Sequence, residues 1–266
     1  GTSTAPLVRA AAVLGCAEIL PRHFRVLKRL AEYGFFKAGG VLIGTHAFVA
    51  YGNMLGVRWG TADAARTQDI DFAHAGKSIS LALAPHCQVQ THEAIQSLEM
   101  GFLPISGLAG KTGGAYLIPR EKEFRLDFLT TVGRSGETPY EHPDLHVTLQ
   151  PLRFMEYSLE NVQQTVLLSG ADAVIVNLPH PARYALHKLI VAGEREGAFQ
   201  AKTGKDFVQA GLLLSVLREN RPWEVEEAWK NLEGRGKGWR SRAMRGLQAL
   251  DRQFPDEGFS AWLAPA

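Results

Sequence analysis

From Pro181 onward the apolar residues recur at helical spacing, over 182–195, 202–219, 222–232 and 239–253, with glycine-rich breaks at 193–197 and 234–238. Upstream of Pro181 the pattern is different: short apolar runs bounded by glycine or proline alternate with helical stretches. Strand-length and helix-length periods that alternate in one region, and helical periods alone in the next, confine the chain to an α/β part followed by a helical part. The α/β part is expected to end near residue 178.

A chain of 266 residues with 45% hydrophobic residues can bury a core without disulfides or structural metals. Lys+Arg 29 against Asp+Glu 27 leaves a formal charge of +2, which argues against a protein that coats DNA. The two cysteines, Cys16 and Cys87, are far apart and near no Cys or His pair of zinc spacing, so they read as reduced thiols. No apolar run approaches the roughly 18 residues of a membrane helix. Ala10–Leu20 is mildly apolar, but Glu18 and Pro21 do not fit a signal peptide. The expectation is a soluble, cytoplasmic protein.

Within the α/β part, residues 18–37 predict a helix stopped at Gly34, and Val41-Leu42-Ile43 predicts a buried strand between glycines. Thr45 to Tyr51 predicts a helix start with the Thr45 hydroxyl as cap. Residues 52–66, with Gly52, Gly56 and Gly60, predict an irregular connection. Residues 69–73 alternate polar and apolar, as a strand with one wet face does. A hairpin is expected from 115–118 and 124–129, then a loop over 132–144, then strands at 147–149, 166–168 and 173–178.

The chemistry concentrates on three acids. Asp69 and Asp71 are one residue apart on the expected strand, so alternation puts both carboxylates on one face. Two carboxylates that close repel unless neutralised. A hard divalent cation such as Mg²⁺, with Mn²⁺ as the alternative, is the usual neutraliser. Asp127, in Leu126-Asp127-Phe128, is a third acid that a neighbouring strand would bring to the same place. Three carboxylates can hold two ions about 3.5–4 Å apart, the arrangement used for in-line phosphoryl displacement. Gly44-Thr45 closes an apolar strand and opens a helix, where backbone N–H groups can cradle a triphosphate. Taken singly, each motif also fits a plainer structural role: a solvated strand edge for Asp-x-Asp, a capped turn for Gly-Thr.

In that order, Ile43-Gly44-Thr45, Asp69-Ile70-Asp71 and Leu126-Asp127-Phe128 resemble the nucleotidyltransferase superfamily of the DNA polymerase β type. Within it, Arg66-Thr67-Gln68-Asp69-Ile70-Asp71 is similar to the Arg-(Ser/Thr)-x-Asp-Ile-Asp of AbiEii/MenT-like bacterial members. Lys188-Leu189 through Arg195, followed by Lys205-Asp206, looks like that group's helical Lys-Leu-x-Ala-x-x-x-Arg and Lys/Arg-Asp motifs, with the alanine one residue late at Ala192.

The resemblance implies a nucleotidyltransferase fold of α/β (α+β) class, a mixed β-sheet flanked by helices over residues 1–180, then a helical domain over 181–266. It implies that Asp69, Asp71 and Asp127 bind two metal ions, with Asp127 helping to deprotonate an acceptor hydroxyl. Gly44, Thr45, Arg66, Lys188, Lys205 and Asp206 would bind the nucleotide. The reaction would move a nucleoside monophosphate from an NTP to a hydroxyl on tRNA or protein, releasing pyrophosphate. An antitoxin partner would belong to such a system. A small-molecule acceptor, as in aminoglycoside-modifying members, and a non-catalytic nucleotide- or RNA-binding module are the alternatives.

His46, just inside the phosphate turn, and His187, beside Lys188, read first as packed helix residues. His74, His86 and His92 lack metal-ligand spacing, so zinc is not expected. Gly107–Gly114 carries Lys111 but lacks the Gly-Lys-Ser/Thr ending of a phosphate-binding loop. The C-terminal run Arg235, Lys237, Arg240, Arg242 and Arg245 with Trp239 reads as a solvated helical face or as an RNA-contacting patch.

Overall fold

The computed structural model describes residues 3–60, 65–76, 88–106, 112–133, 136–194 and 200–265. The chain divides into two compact units, one running to Pro179 and the other beginning at His180. Cys87, His86, Gly107–Lys111 and Arg195, singled out in the sequence, lie outside the described residues.

In the first unit, β1 (Val41–Ile43), β2 (Ile70–His74), β3 (Leu103–Ser106), β4 (Thr112–Ile118), β5 (Glu121–Thr131), β6 (Tyr140–His142) and β7 (Val147–Leu152) form one mixed sheet. Its path is β1-β2-β5-β4-β3, and β7 lies beside the C-terminal end of β5 with β6 outside it. β5 runs parallel to β2 and β7, and the other pairs are antiparallel. A hairpin of β8 (Val162–Ser169) and β9 (Asp172–Pro179) makes a second sheet. The helices of this unit are α1 (Ala5–Val13), α2 (Pro21–Glu32), α3 (Gly44–Leu55), α4 (Thr91–Gln96) and α5 (Met155–Leu159). α3 packs on β1, β2 and β8, and α2 packs on α4, β8 and β9.

The two faces of the central strands do different work. Phe72 of β2 and Phe128 of β5 stack at 5.0 Å with 18° between their planes, and Phe35 meets both edge-on at 5.5 and 5.8 Å. That aromatic layer is fully buried. One residue along each strand, Asp71 and Asp127 point to the opposite face. There the next row, Val41 and Ala73 with Leu129, is sealed by Met155 and Leu159 of α5. The carboxylates therefore stand where the apolar cover ends.

Several boundaries depart from the sequence reading. α2 begins at Pro21 rather than 18, because proline at the first helical position loses no hydrogen bond there. It ends at Glu32, just before Gly34 at φ +89°. α3 starts directly from the strand, so its N-cap falls on apolar Ile43 and Thr45 sits inside the first turn instead of capping it. α3 also continues through Gly52 to Leu55. Gly52 is a packing glycine there: a Cβ would lie 2.8 Å from Trp59 Nε1. That indole stacks on Phe48 at 4.5 Å and donates to the Phe48 carbonyl at 2.8 Å. Gly56, left-handed at φ +70°, is the C-cap. α1 and β6 form where no element was expected.

In the second unit, α6 (Pro181–Glu194), α7 (Gln200–Asn220), α8 (Pro222–Glu233), α9 (Lys237–Gln253) and α10 (Phe259–Leu263) pack as helices only. α6 touches α7, α8 and α9. The α6–α9 crossing is close because Gly246 lies against the Leu189 backbone, where a Cβ would come within 2.2 Å of the carbonyl oxygen. Leu186, Leu189, Ile190, Leu213, Leu217 and Leu247 fill the core. Among the described residues no helix is long and apolar enough to cross a membrane.

Candidate active site

The parallel register of β2 and β5 pairs Asp71 with Asp127, and the antiparallel register of β1 and β2 pairs Ile43 with Asp71. Paired strands lie about 4.8 Å apart, so Asp71 and Asp127 are neighbours on one face. Asp69 lies one residue before β2 rather than within it, and its carboxylate accepts from the Thr67 hydroxyl. All three acids are half-buried.

Gly44 follows Ile43 in the same row. Its φ of +67° is a left-handed value that disfavours any side chain. A Cβ there would also lie 2.2 Å from Asp71 Oδ2 and 3.0 Å from Asp71 Cγ. The strand-to-helix turn thus rests directly on the Asp71 carboxylate. The first turn of α3, with buried Thr45 and His46, opens beside it. The N–H dipoles of a helix start favour a phosphate.

The turn is braced from below. His46 Nε2 and His23 Nδ1 are 2.9 Å apart in a buried hydrogen bond that ties α3 to α2. The His23 ring lies 4.9 Å from the Phe124 ring of β5. Burial, aided by the Arg22 charge, holds His23 below its ordinary value, with the Asp69 carboxylate pulling the other way.

Sequence reading missed Arg125. It is two residues before Asp127, so strand alternation puts both on the same face. Its Nε lies 2.7 Å from Asp127 Oδ1 and 2.9 Å from Oδ2, and Nη2 lies 2.7 Å from Oδ1. The hydrogen bond to Asp127 raises Arg125 above its ordinary value, and attraction from Asp71 and Asp69 adds to this. The signal that places Asp69 with Asp71 would have placed Arg125 with Asp127. Arg66, expected beside the acids, is exposed three residues before Asp69.

The donor set suits a hard divalent cation: the Asp71 and Asp127 carboxylates are paired in register on adjacent strands. Among the described residues, however, no group of three or more His, Cys, Asp or Glu side chains is gathered for one ion. Asp127 is turned onto Arg125 and Asp69 onto Thr67.

The other expected nucleotide ligands belong to the second unit. Lys188 Nζ lies 2.5 Å from Asp206 Oδ1, with side-chain exposures of 13% and 16%, and sits over the Tyr184 ring at 4.9 Å. The Tyr184 hydroxyl is 3.1 Å from Gln209 Oε1. Asp206 therefore holds Lys188. Lys205 is half-buried on α7, beside Asp206. His187 is half-buried. In the basic C-terminal run, Arg235 stacks over Trp239 at 5.2 Å and Arg240 pairs with Glu233 at 3.3 Å, while Lys237 and Arg245 are exposed.

The site thus sets a helix start on the Asp71 carboxylate, with Asp127 beside it on the neighbouring strand. The chain belongs to the nucleotidyltransferase family: the family model described as Nucleotidyltransferase matches residues 22–233, which contain the glycine turn, the three acids, Lys188 and Asp206. The chain is also similar to the crystal structure of an antigenic nucleotidyltransferase-like protein from Paracoccidioides brasiliensis. That alignment has 17% identity and a TM-score of 0.39, and covers 86% of this chain and 95% of that one. No curated protein sequence matches the chain.

Proposed function

We propose that the protein transfers a nucleoside monophosphate from an NTP to an acceptor hydroxyl, with divalent cations at Asp69, Asp71 and Asp127. The observation that carries this reading is the row Ile43–Asp71–Asp127, with Gly44 seated on the Asp71 carboxylate. Bound cations, Mg²⁺ or Mn²⁺, would supply charge neutralisation and alignment of the attacking and leaving oxygens. The chain's own groups do the rest. The first N–H groups of α3 at Gly44 and Thr45 hold phosphate oxygens. Asp127 accepts the proton of the acceptor hydroxyl. The acceptor oxygen bonds to the α-phosphorus as the bond to the β-phosphate oxygen breaks, and pyrophosphate leaves. Arg66, Lys188, Lys205 and Asp206 are assigned to the nucleotide by motif resemblance.

The same resemblance, through Arg66-Thr67-Gln68-Asp69-Ile70-Asp71, favours RNA, tRNA above all, or a protein as acceptor in an AbiEii/MenT-like, toxin–antitoxin setting in the cytoplasm. The test is label transfer: protein, Mg²⁺, each α-labelled NTP in turn and total RNA, with RNA and protein resolved separately. Label on RNA or protein, lost in Asp69→Ala/Asp71→Ala, supports the proposal and names the acceptor class. Absence of label from every macromolecule would overturn the RNA- or protein-modifying reading and leave a small hydroxylated acceptor or a binding module.

A further inference from the structure

The Asp127 carboxylate has both oxygens engaged by one guanidinium. Arg125 Nε reaches Oδ1 at 2.7 Å and Oδ2 at 2.9 Å, and Nη2 reaches Oδ1 at 2.7 Å. Paired donors on a planar fork meeting a planar carboxylate make the strongest kind of side-chain ion pair. The pair is local, between residues i and i+2 of one strand, so it forms without any rearrangement of the fold. It is also asymmetric in exposure: the Arg125 side chain is 46% exposed and that of Asp127 19%. The arginine is the outer partner and can swing away from an acid that the sheet holds in place.

Three carboxylates on one half-buried face need a counter-charge. Arg125 supplies part of it, through its paired contacts with Asp127. Among the described residues no group of three carboxylates is gathered for a single ion: Asp127 is turned onto Arg125 and Asp69 onto Thr67.

We propose that Arg125 is a displaceable counter-ion of the acidic platform: it holds the Asp127 carboxylate, yields it to an incoming divalent cation, and then turns its freed guanidinium to a phosphate of the bound triphosphate. This rests on the metal-dependent reading proposed above. Two consequences follow from mass action. The ion must compete with Arg125, so the cation alone binds more weakly than the three acids would otherwise bind it. A triphosphate gives the released guanidinium a new partner, so nucleotide and cation load together. The device offsets part of the platform's negative charge when no substrate is present.

The experiment is Mn²⁺ titration followed by electron paramagnetic resonance, with melting temperatures in chelator, on the full chain and on Arg125→Gln, Arg125→Lys and Asp127→Asn. Arg125→Gln should bind Mn²⁺ at least about tenfold more tightly than the parent, the factor carried by about 1.4 kcal/mol, and melt lower in chelator. Arg125→Lys keeps the charge but has no fork, so its affinity should fall between the two. Asp127→Asn should lose the binding, which places the ion at the platform. A merely structural Arg125 would weaken Mn²⁺ binding when replaced. Equal or weaker binding in Arg125→Gln, with the Asp127-dependent site present in the parent, overturns the counter-ion proposal and leaves the metal reading standing. No Mn²⁺ bound by either the parent or Arg125→Gln overturns both.

Discussion

Replacing Gly44 by alanine tests whether the turn is built against the Asp71 carboxylate, and its effect separates into two parts. The backbone part comes from φ +67°, where an L side chain costs about 1–2 kcal/mol. The contact part comes from a Cβ placed 2.2 Å from Asp71 Oδ2 and 3.0 Å from its Cγ. Overpacking of this kind costs typically about 1–3 kcal/mol after the neighbours shift. Together they predict a loss of about 2–5 kcal/mol for Gly44→Ala. The two parts are separable, because Asp71→Ala removes the oxygens and Cγ and leaves only Cβ, 3.1 Å away. In that background Gly44→Ala should cost only the backbone part, about 1–2 kcal/mol. The coupling between the two sites should therefore be about 1–3 kcal/mol. Urea unfolding of the four proteins at pH 7.5, compared at a common m-value, measures it. A Gly44→Ala protein within about 0.5 kcal/mol of the parent, the ordinary range for an unconstrained surface change, would refute the geometry. Equal costs in both backgrounds would show that the carboxylate does not bear on residue 44.

Further outcomes follow from the same arrangement. Asp71→Asn and Asp127→Asn should each lower nucleotidyl transfer on the order of 10²–10³-fold with folding retained, checked by initial rates alongside circular dichroism; near-parental rates would remove these residues from the chemistry. His74 is buried, with Nδ1 accepting from the Gly76 N–H at 2.9 Å and Nε2 donating to the Ala38 carbonyl at 2.8 Å, and burial lowers it from 6.5. Its neutral form is favoured in the fold, so its stabilising contribution is present above pH 6.5 and is lost as the pH falls below that toward the lowered folded value. His74→Gln should show a shallower stability loss between pH 7.5 and 5.0 in urea unfolding, and an unchanged slope would contradict this. Lys188→Met removes the ion pair from a largely buried Asp206 carboxylate and should cost about 1–3 kcal/mol, below the figure for a fully buried pair because both groups keep some solvent. Lys188→Met with Asp206→Leu should recover most of that loss in thermal melts.

What the sequence disclosed about the site was carried by alternation. Ile70-Asp71-Phe72 and Leu126-Asp127-Phe128 each put an acid between apolar neighbours, and strand geometry turns such a pattern into a face. Gly44 was legible as a strand-to-helix glycine, but the reason it must be glycine, the Asp71 carboxylate, is a contact between residues 27 positions apart. Gly52 misled for the opposite reason. A glycine within a helix reads as a break, whereas here it makes room for Trp59 and the helix continues. Thr45 reads as a cap when the helix is expected to start there, but α3 starts at Gly44 and moves the cap to Ile43. The Lys188–Asp206 pair depends on how α6 and α7 pack, which no local pattern encodes. Arg125 was legible in principle, since its offset from Asp127 equals that of Asp69 from Asp71.

The junction at Ile43 and Gly44 has no linker, and this governs which changes of length the protein can absorb. One residue inserted there would turn α3 by about 100° and shift it by about 1.5 Å along its axis. The opening N–H groups would swing off the carboxylate row, and His46 would leave His23. Added length between β2 and β5, by contrast, would leave the rows intact, because lateral pairing fixes them. Mutational scans by insertion should therefore find a sharp zone of intolerance at residues 43–46, and acceptance of extra chain in the connections between β2 and β5.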